Sequence, residues 1–550
     1  MIPPSPRRIL IVGGVAGGAS AAARARRVNE AAEIVLFERG SHISFASCGL
    51  PYLLSGEVRD RDHLIARTPE DFWARARVRV HVRTEAVAID RARRILRVKG
   101  PDGARRDEPY DRLILSPGAR PILPPIPGAD LPHVFTLRDI PDAERIAAFL
   151  DAAKPGRAVV VGGGFIGLEM AETFLHRGLE VTVVERLPQL LPVLDPDMAA
   201  LLGACIGNRL SLRTGATATR ITTEAVELED GSHVPADVVL LSVGVKAEVE
   251  LARDAGLEIG ETGGVKVNGR LESSDPAIYA VGDAAEVTHV VTGRRVRMAL
   301  GGPANRQGRL AGANAAGQHH VYRGALGSAI VRALDVNVGC TGLNRAQAVA
   351  AGLAPYTSVT RGMNRSRYFP GAVPLWIKLV AEDGTGRLLG AQVLGGEGVD
   401  KRLDVLATAI TGGLTVFDLE TLDLTYAPPF SSAQDPVNVA GFAAAHAALG
   451  DAPSVSPETW RPGGELILDV RDPDEFAAGR LAGAVNVPLE TLRERAEEFP
   501  RDRVIVTCCQ QGQRGHLAAC VLRGLGFGHV ANLRGGLAMA RANGLPLALD

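Results

Sequence analysis

Two segments of the sequence carry glycines at a spacing that could bind the pyrophosphate of a dinucleotide. Residues 9–38 read as a strand, a glycine turn, a helix and a second strand, and residues 158–185 repeat this pattern. In such a loop the first glycine makes the turn, the middle one admits the pyrophosphate, and the last lets helix and strand pack closely. The pyrophosphate lies at the helix N-terminus, where free N–H groups and the helix dipole favour anions. The candidate glycines are Gly13, Gly14, Gly17, Gly18, Gly162, Gly164 and Gly167.

Two of the six cysteines stand in settings that favour a reactive thiol. Cys48 precedes Gly-Leu-Pro-Tyr, as a residue near the start of a helix would, and a helix N-terminus or a nearby flavin lowers the pKa of a thiol. Cys509 opens the segment 509–514 (CQQGQR), which can fold as a cradle of backbone N–H groups that stabilises a sulfur anion. Cys48 could instead be buried and inert, and the segment of Cys509 could belong to a catalytically dead regulatory domain. A role for the neighbouring Cys508 stays open.

Two further segments fit the first dinucleotide-binding unit. Residues 113–121 (LILSPGARP) read as a strand ending in a tight turn of small residues, and residues 277–287 (AIYAVGDAAEV) as a strand ending at Gly-Asp. An aspartate at the start of a helix is often only an N-cap. Here it could also hold a ribityl or phosphate hydroxyl. The candidate residues are Ser116, Gly118, Gly282 and Asp283.

Length and composition limit the class of protein. The 550 residues predict about three to four domains. The 61 basic and 62 acidic residues leave no basic excess, so we expect no nucleic-acid partner. No apolar run is long enough for a membrane helix, and we expect no membrane association. Scattered cysteines without zinc-ligand spacing favour a reducing, cytoplasmic setting and predict no metal site.

The motifs taken together resemble a known family. The two fingerprints followed by YAVGD are similar to those of the flavin-dependent pyridine nucleotide-disulfide reductases. SFASCGLPY (44–52), with one cysteine instead of the usual pair, resembles the single-cysteine branch: coenzyme A-disulfide reductases, NADH oxidases and peroxidases, and persulfide reductases. RYFPGA (367–372) and LTYAPPFSSAQDPVN (424–438) resemble segments of that branch's dimerisation domain. DVRDPDEFAAGRLAGAVNVPL (469–489), with CQQGQR, resembles a rhodanese domain.

The resemblance implies the cofactors. FAD would bind the first unit and a nicotinamide nucleotide the second. Glu38 and the adjacent Arg39 are candidate FAD ligands, and Glu185 would accept hydrogen bonds from the ribose of the nicotinamide nucleotide. Glu185 should repel a 2′-phosphate and favour NADH, while Arg186 beside it leaves NADPH possible. One departure is Val15, which replaces the middle glycine of the first loop.

The resemblance also implies how sulfur is handled. Cys48 would be the redox cysteine, and Cys509 the rhodanese nucleophile in a loop closed by Arg514. Coenzyme A, as substrate or bound ligand, would contact the helix after the first glycine loop. Two departures are Ser47, where coenzyme A-disulfide reductases typically have Asn, and Ala76, where a phosphate-binding lysine would be sought. The coenzyme A candidates are Ser20, Arg24, Arg27, Ser44 and Ser47, and the tyrosines expected to reach a partner subunit of a homodimer are Tyr368 and Tyr426.

We therefore expect an α/β protein with two Rossmann-like nucleotide-binding domains, an α+β dimerisation domain and a C-terminal α/β rhodanese domain. The predicted divisions are an FAD-binding domain (1–115 and 246–325), an NAD(P)H-binding domain (116–245), a dimerisation domain (326–447), a linker (448–458) and a rhodanese domain (459–550).

Three functions stay open. The first is a flavoenzyme that reduces coenzyme A disulfide, coenzyme A persulfide or polysulfide with NADH, while the rhodanese domain transfers sulfane sulfur. The second is an NADH oxidase or peroxidase whose cysteine cycles through a sulfenate. The third is a sulfur carrier or redox sensor. The rhodanese segment and the basic helix of the coenzyme A candidates argue against the second.

Overall fold

The computed structural model describes residues 7–451 and 453–548. The outermost residues of the first and last predicted domains, and residue 452 of the predicted linker, lie outside this range. The described chain forms two units, Met1–Val184 with Ala216–Gly327, and Glu185–Gly215 with Ser328–Asp550. The segment Glu185–Gly215, predicted as part of the NAD(P)H-binding domain, therefore groups with the C-terminal half. The predicted division into four domains stays a prediction.

The first unit contains a parallel sheet built on the N-terminal strand. Its apolar residues Ile9, Leu10 and Ile11 are fully buried, as expected for a parallel strand covered on both faces. The helices Ala16–Val28 and Gly301–Ala315 pack so closely that a Cβ added to Gly308 would lie 2.0 Å from the Gly17 carbonyl oxygen. The strand order is Ile278–Ala280, Arg112–Leu115, Arg8–Val12, Glu33–Phe37 and Val78–His81.

A second parallel sheet in this unit repeats the arrangement around the second glycine loop. Four of its five strands, in order, are Glu180–Glu185, Arg157–Val161, Val238–Leu241 and Val134–Phe135, and its helices are Ile140–Ala153 and Phe165–His176. Smaller sheets are formed by Glu85–Asp90, Ile95–Lys99 and Arg105–Pro109, by Ala218–Ile221, Ala225–Leu228 and His233–Pro235, by Val265–Lys266, Ala285–Thr288 and Arg295–Arg297, and by Ala119–Pro121 with Val245–Ala247. Short helices are Leu50–Ser55, Pro69–Ala76 and Glu250–Asp254.

The second unit contains an antiparallel sheet with helices beside it. The strand order is Ala329–Ala333, Val336–Gly342, Leu388–Gly395, Pro374–Glu382 and Pro355–Met363. The strand Leu388–Gly395 is buried along its whole length. It therefore lacks the alternation of buried and exposed residues that is typical of a strand with one face in solvent. The other elements of this region are Pro196–Ile206, Ser211–Thr214, Arg345–Ala350, Val399–Gly412, Val416–Glu420 and Pro436–Ala448.

The C-terminal part of this unit forms a parallel sheet with its own apolar core. Its strand order is Ser454–Val455, Val530–Leu533, Ile505–Cys508, Leu466–Asp469 and Val485–Asn486. Ser454–Val455 falls within the predicted linker 448–458, so the last part of that segment is instead an edge strand, paired with Val530–Leu533. The helices here are Pro473–Ala477, Leu492–Arg495, Gln513–Gly524 and Gly536–Ala542. Among the described residues, every helix is too short or too polar to cross a bilayer.

Candidate functional site

The first glycine loop has the backbone geometry of a phosphate-binding turn. Gly13 has φ +92° and donates its N–H to the Phe37 carbonyl at 2.8 Å. A Cβ on Gly18 would lie 1.8 Å from the Gly13 carbonyl oxygen, so only glycine fits there. The helix Ala16–Val28 then begins with Val15 at its N-cap. Because valine has no side-chain acceptor, the first N–H groups of this helix can serve a bound anion.

The acid of this unit is held in place by the backbone. Glu38 accepts hydrogen bonds from the N–H groups of Gly14 at 2.8 Å and Gly40 at 2.7 Å, one on each carboxylate oxygen. Further lone pairs on these oxygens leave room for ribose hydroxyls. Arg39 forms an ion pair with Glu248 at 2.5 Å, and its predicted contact with the cofactor stays a prediction.

The segments that follow the strands Arg112–Leu115 and Ile278–Ala280 contact the first glycine loop, as their predicted place in the first dinucleotide-binding unit requires. A Cβ on Gly17 would lie 2.6 Å from the Ser116 Oγ and 3.1 Å from a methyl group of Val281, so three segments converge there. Gly118 has φ +76°. Gly282 opens a short 3-10 turn and donates its N–H to the Gln307 Oε1 at 2.8 Å.

Asp283 follows in the same turn, and burial raises the pKa of its carboxyl. The carboxylate oxygens can accept from a hydroxyl. Gln307, which fixes the turn, is fully buried on the helix Gly301–Ala315. No sequence motif pointed to Gln307.

The second glycine loop has the same geometry as the first. Gly162 has φ +112° and donates to the Val184 carbonyl at 2.8 Å, and a Cβ on Gly167 would lie 2.0 Å from the Gly162 carbonyl oxygen. Gly164 is the N-cap of the helix Phe165–His176 and faces open space, which suits the approach of a pyrophosphate. Glu185 ends its strand, and one of its oxygens accepts the Leu187 N–H at 2.7 Å.

Cys48 follows a segment that is anchored on the first glycine loop. Ser44, with φ +48°, donates its N–H to the Gly14 carbonyl at 2.8 Å and anchors the segment that leads to the cysteine. Cys48 itself sits in the 3-10 turn Ser47–Gly49, before the helix Leu50–Ser55. The residue is exposed to solvent.

The expected lowering of the Cys48 pKa is wrong for the protein alone. Although solvent reaches the residue, partial burial of the thiol and then the negative charge of Glu169 raise its pKa, and a hydrogen bond with Ser47 opposes them. The helix that follows has only six residues, so its dipole offers little compensation. Cys48 therefore rests as a thiol unless a bound group favours the thiolate.

The short helix after Cys48 packs against the helix of the second glycine loop. The Thr173 hydroxyl donates to the Pro51 carbonyl at 3.0 Å, and the Tyr52 hydroxyl donates to the Glu169 carboxylate at 3.4 Å. This packing brings the carboxylate of Glu169 near the thiol. Sequence reasoning missed Glu169, although it directly follows the second glycine motif.

The coenzyme A candidates lie together on one helix face. Ser20, Arg24 and Arg27 follow the four- and three-residue spacing of a helical stripe. Ser20 donates to Asn305 at 2.6 Å, Arg24 donates to Gln318 at 3.2 Å, and Arg27 is exposed. Ser47 is exposed beside Cys48.

An arginine of the candidate coenzyme A helix holds the backbone at Ala76, where a phosphate-binding lysine would be sought. Arg26 is buried and donates to the carbonyls of Ala76 at 2.7 Å and Arg77 at 3.1 Å. The backbone after the helix Pro69–Ala76 is thus fixed by a structural arginine of the candidate coenzyme A helix.

The two candidate tyrosines project from segments that one buried network joins. Tyr368 is 76% exposed and Tyr426 is 49% exposed. The Ser366 N–H donates to the Ser431 carbonyl at 3.1 Å. The buried Arg402 donates to the Asn364 carbonyl at 2.9 Å and to the Ser431 Oγ at 3.1 Å. Two large exposed phenol rings on a well-anchored surface suit contacts with a second subunit.

The Cys509 loop is a compact cradle for its sulfur. Cys509 is buried, and the Gly512 N–H donates to its Sγ at 3.2 Å. The loop is supported from the far side, because the Leu537 N–H donates to the Cys509 carbonyl at 2.9 Å and a Cβ on Gly536 would lie 2.2 Å from that oxygen. The helix Gln513–Gly524 begins directly after the loop.

Arg514 and Cys508 take structural positions around this loop. Arg514 forms a two-pronged ion pair with Glu475, at 2.7 Å to each carboxylate oxygen. Sequence reasoning did not find Glu475. Burial, and then the charge of Asp469, raise the pKa of Cys508 well above its ordinary value, which keeps it a neutral thiol.

The prediction that no metal takes part stays a prediction. Among the described residues, one group offers three possible ligand atoms within 4.8 Å of one another, from Glu57, Glu172 and His176. None of the predicted site residues belongs to it.

Comparisons with known proteins agree with this architecture. Residues 7–317 match the model of the pyridine nucleotide-disulphide oxidoreductases, residues 328–436 match the dimerisation domain of that family, and residues 458–541 match the rhodanese-like domain. The solved structure of reduced Bacillus anthracis CoADR-RHD is 41% identical, with 98% of each chain covered and a TM-score of 0.95.

Two further proteins are similar over most of their length. The NAD-dependent persulfide reductase of A. fulgidus is 36% identical, covering 97% of this chain and 99% of its own, with a TM-score of 0.92. The CoA-dependent NAD(P)H sulfur oxidoreductase of Pyrococcus abyssi is 36% identical, covering 79% of this chain and 97% of its own.

Two glycine-loop nucleotide sheets, a dimerisation sheet and a rhodanese-like sheet define a nucleotide-dependent oxidoreductase with a fused sulfur-transfer domain. The chain belongs to the pyridine nucleotide-disulphide oxidoreductase family. The predicted family, the α/β fold class and the enzyme class are confirmed. Membership implies the use of a flavin and a nicotinamide nucleotide.

Proposed function

We propose that this enzyme uses FAD and NADH to reduce coenzyme A disulfide, coenzyme A persulfide or polysulfide at Cys48, and that its rhodanese domain transfers sulfane sulfur at Cys509. The observation that carries the proposal is the hydrogen bond from Ser44 to Gly14, which anchors the redox-cysteine segment on the first phosphate loop. The printed activities of the similar proteins, which include CoA-dependent sulfur reduction and persulfide reduction, support it.

The residues that would hold the cofactors fit them. The glycine-only backbone contacts at Gly18 and Gly167 and the helix starts behind Val15 and Gly164 suit two pyrophosphates. When bound, FAD would relay an electron pair from NADH to sulfur. The carboxylate of Glu185 favours a free ribose 2′-hydroxyl and therefore NADH over NADPH.

The chemistry of Cys48 follows from thiol–disulfide exchange. Its thiolate attacks one sulfur of coenzyme A disulfide, forms a mixed disulfide and releases the other coenzyme A as a thiolate. An electron pair that originates in NADH then breaks the mixed disulfide and regenerates the Cys48 thiolate. The balance is one disulfide, one NADH and one proton in, and two coenzyme A thiols and NAD⁺ out.

The coenzyme A would lie along the helix Ala16–Val28. The guanidinium groups of Arg24 and Arg27 would pair with its phosphates, because a planar donor fork matches phosphate oxygens. Ser20 and Ser44 would add hydroxyl contacts.

A homodimer would complete the site. Tyr368 and Tyr426, both exposed in the single chain, would reach the partner subunit, where a phenol hydroxyl can stabilise or protonate a departing thiolate. The predicted cytoplasmic location suits a thiol-based cycle.

The rhodanese step would use Cys509 alone. Its thiolate attacks the outer sulfur of a donor such as thiosulfate, the donor's sulfur–sulfur bond breaks, and sulfite leaves with the electron pair. The Gly512 N–H at 3.2 Å from the sulfur supports the resulting anion. Cys508, buried and neutral, takes no part.

Anaerobic NADH oxidation by the FAD-loaded protein, with each acceptor supplied separately, tests the proposal. We expect turnover with coenzyme A disulfide, its persulfide or polysulfide. Cys48→Ser should abolish this turnover while flavin reduction by NADH remains. Turnover with oxygen alone would instead assign an NADH oxidase, and full acceptor turnover in Cys48→Ser would remove Cys48 from the mechanism.

A further inference from the structure

The rhodanese-like region contacts the dimerisation sheet through a cluster of charged residues, all within the second unit. Lys378 is buried and pairs with Asp195 at 2.9 Å and Asp197 at 2.6 Å. The rhodanese-like region contributes the half-buried Arg534 and Glu458, whose charges interact with these same aspartates. Charged groups as deep as Lys378 and its two aspartates persist only where they balance one another.

Arg534 makes the direct connection between the two regions. Its guanidinium donates to the hydroxyl of Thr357, on the strand Pro355–Met363 of the dimerisation sheet. Burial lowers the pKa of the guanidinium, and Asp197 and Glu458 oppose this effect. A half-buried arginine whose hydrogen bond goes to a neutral hydroxyl depends on such neighbouring carboxylates for its stability.

The residues that follow Arg534 in the chain support the Cys509 loop through hydrogen bonds. Gly535 and Gly536 follow it, and the N–H groups of Leu537 and Ala538 donate to the carbonyls of Cys509 at 2.9 Å and Gln510 at 3.0 Å. The side chain that contacts the dimerisation sheet and the backbone that holds the nucleophile loop thus belong to one short segment.

The next element strengthens this connection. The helix Gly536–Ala542 lies against the helix Pro196–Ile206, which begins between the two aspartates of the cluster. The helix Gly536–Ala542 and the Arg534 side chain therefore make two separate contacts with the rest of the second unit. A domain held in this way is not free to swing on its linker.

We propose that Arg534 is a positioning residue that keeps the rhodanese domain docked on the dimerisation domain during the reaction. In the docked state the Cys509 loop keeps a fixed position on the dimerisation sheet. The thiolate of a small carrier such as coenzyme A attacks the outer sulfur of the Cys509 persulfide, the sulfur–sulfur bond breaks with its electron pair going to Cys509, and the carrier leaves as a persulfide. The inference rests on the proposed function for its reaction, but docking itself can be measured without that reaction.

The test compares Arg534→Met with the FAD-loaded wild-type protein. Three rates are measured: thiosulfate sulfurtransfer, NADH-dependent reduction of a small persulfide, and the coupled reaction from thiosulfate to NADH oxidation in the presence of coenzyme A. We expect the rates of thiosulfate sulfurtransfer and of small-persulfide reduction to stay within about twofold of wild type. The coupled rate should fall about tenfold, because only the coupled reaction needs the rhodanese domain to stay docked on the dimerisation domain. Proteinase K should cut the segment 448–458 about tenfold faster in the variant.

Two further variants control the result. Arg493→Met removes an exposed arginine of the same domain and should leave all three rates and the cleavage unchanged. Thr357→Val removes the acceptor from the opposite domain and should change coupling and cleavage in the same direction as Arg534→Met. If Arg534→Met does not fold, Thr357→Val with Arg534→Lys decides the question.

Three results would overturn the inference. Wild-type coupling and cleavage in both variants would show that Arg534 does not hold the domain. A faster coupled rate with faster cleavage would show that the domain works by swinging. Loss of thiosulfate sulfurtransfer without faster cleavage would make Arg534 a residue of the Cys509 loop only. If the wild-type protein reduces no persulfide, the proposed function fails, while the cleavage rates still decide docking.

Discussion

The guanidinium of Arg402 and the carboxylate of Asp435 form a buried ion pair at 2.8 Å, and the Ser431 hydroxyl donates to the same carboxylate oxygen at 2.6 Å. This pair ties the segment before Tyr368 to the segment after Tyr426. The exposed tyrosines therefore rest on a polar network that is closed to solvent, in which the charges satisfy each other and the surrounding backbone.

Arg402→Met should destabilise the second unit strongly. The change leaves Asp435 buried without its main counter-charge, which typically costs about 3 to 5 kcal/mol. Hydrogen exchange of the helix Pro436–Ala448, followed with denaturant, measures the loss. Arg387→Met, which removes a partly exposed pair with Glu382, is the matched control and should cost under about 1 kcal/mol.

The Arg402→Met defect should shrink in acid. Burial alone would raise the pKa of Asp435, but hydrogen bonds from Ser431 and the Val437 N–H and the charge of Arg402 lower it. A carboxyl with a lowered folded-state pKa stabilises the fold above its unfolded pKa of about 3.9, and this stabilisation is lost as pH falls through the folded value. A defect that stays equally large under these acidic conditions would contradict the assigned charge pair.

Glu169→Gln should make Cys48 more reactive. Removing the negative charge near the thiol lowers the pKa of Cys48, while the amide oxygen can still accept from Tyr52. At mildly alkaline pH, below the thiol pKa, alkylation of Cys48 should become severalfold faster. Mass spectrometry of the labelled peptide measures the rate, with the exposed Glu70→Gln as control. An unchanged pH profile would show that Glu169 does not act on the thiol.

Substitutions in the two glycine loops should have different effects, the first on FAD binding and the second on NADH binding. Gly18→Ala places a Cβ 1.8 Å from a carbonyl oxygen and should release FAD, which the visible flavin absorbance reports. Gly167→Ala makes the equivalent clash at 2.0 Å and should keep FAD but raise the KM for NADH about tenfold. Gly203→Ala, whose new methyl meets nothing nearer than 3.8 Å, should change neither. Normal FAD retention in Gly18→Ala would refute the first assignment.

The adjacent cysteines of the rhodanese domain should behave differently. Cys509→Ser should abolish thiosulfate sulfurtransfer, because the sulfur held by Gly512 is the nucleophile. Cys508→Ala should keep more than about half of the activity, since a fully buried thiol with a strongly raised pKa offers no thiolate and its removal leaves a small cavity. Equal loss in both variants would mean that the two thiols act together.

Features that depend on neighbouring residues in the chain were predictable. The loops at Gly13 and Gly162 follow from local sterics, because a turn with positive φ followed by a tight helix start admits only glycine at fixed spacing. The Cys509 loop follows from the four consecutive residues 509–512, which join the strand Ile505–Cys508 to the helix Gln513–Gly524. Contiguous motifs also carried the resemblance that identified the family and the fold class.

Features that depend on distant residues required the tertiary structure. Arg514 pairs with Glu475, 39 positions away, and Arg534 reaches Thr357 across 177 positions. The raised pKa of Cys48 depends on Glu169, which only the packing of Thr173 on Pro51 brings near. The sequence by itself determined which groups can react, because those motifs are contiguous. The tertiary structure decided the pKa of the reactive groups and the distant residues that hold them in place. The physical reason is that electrostatic energies depend on distance and burial rather than on order in the chain.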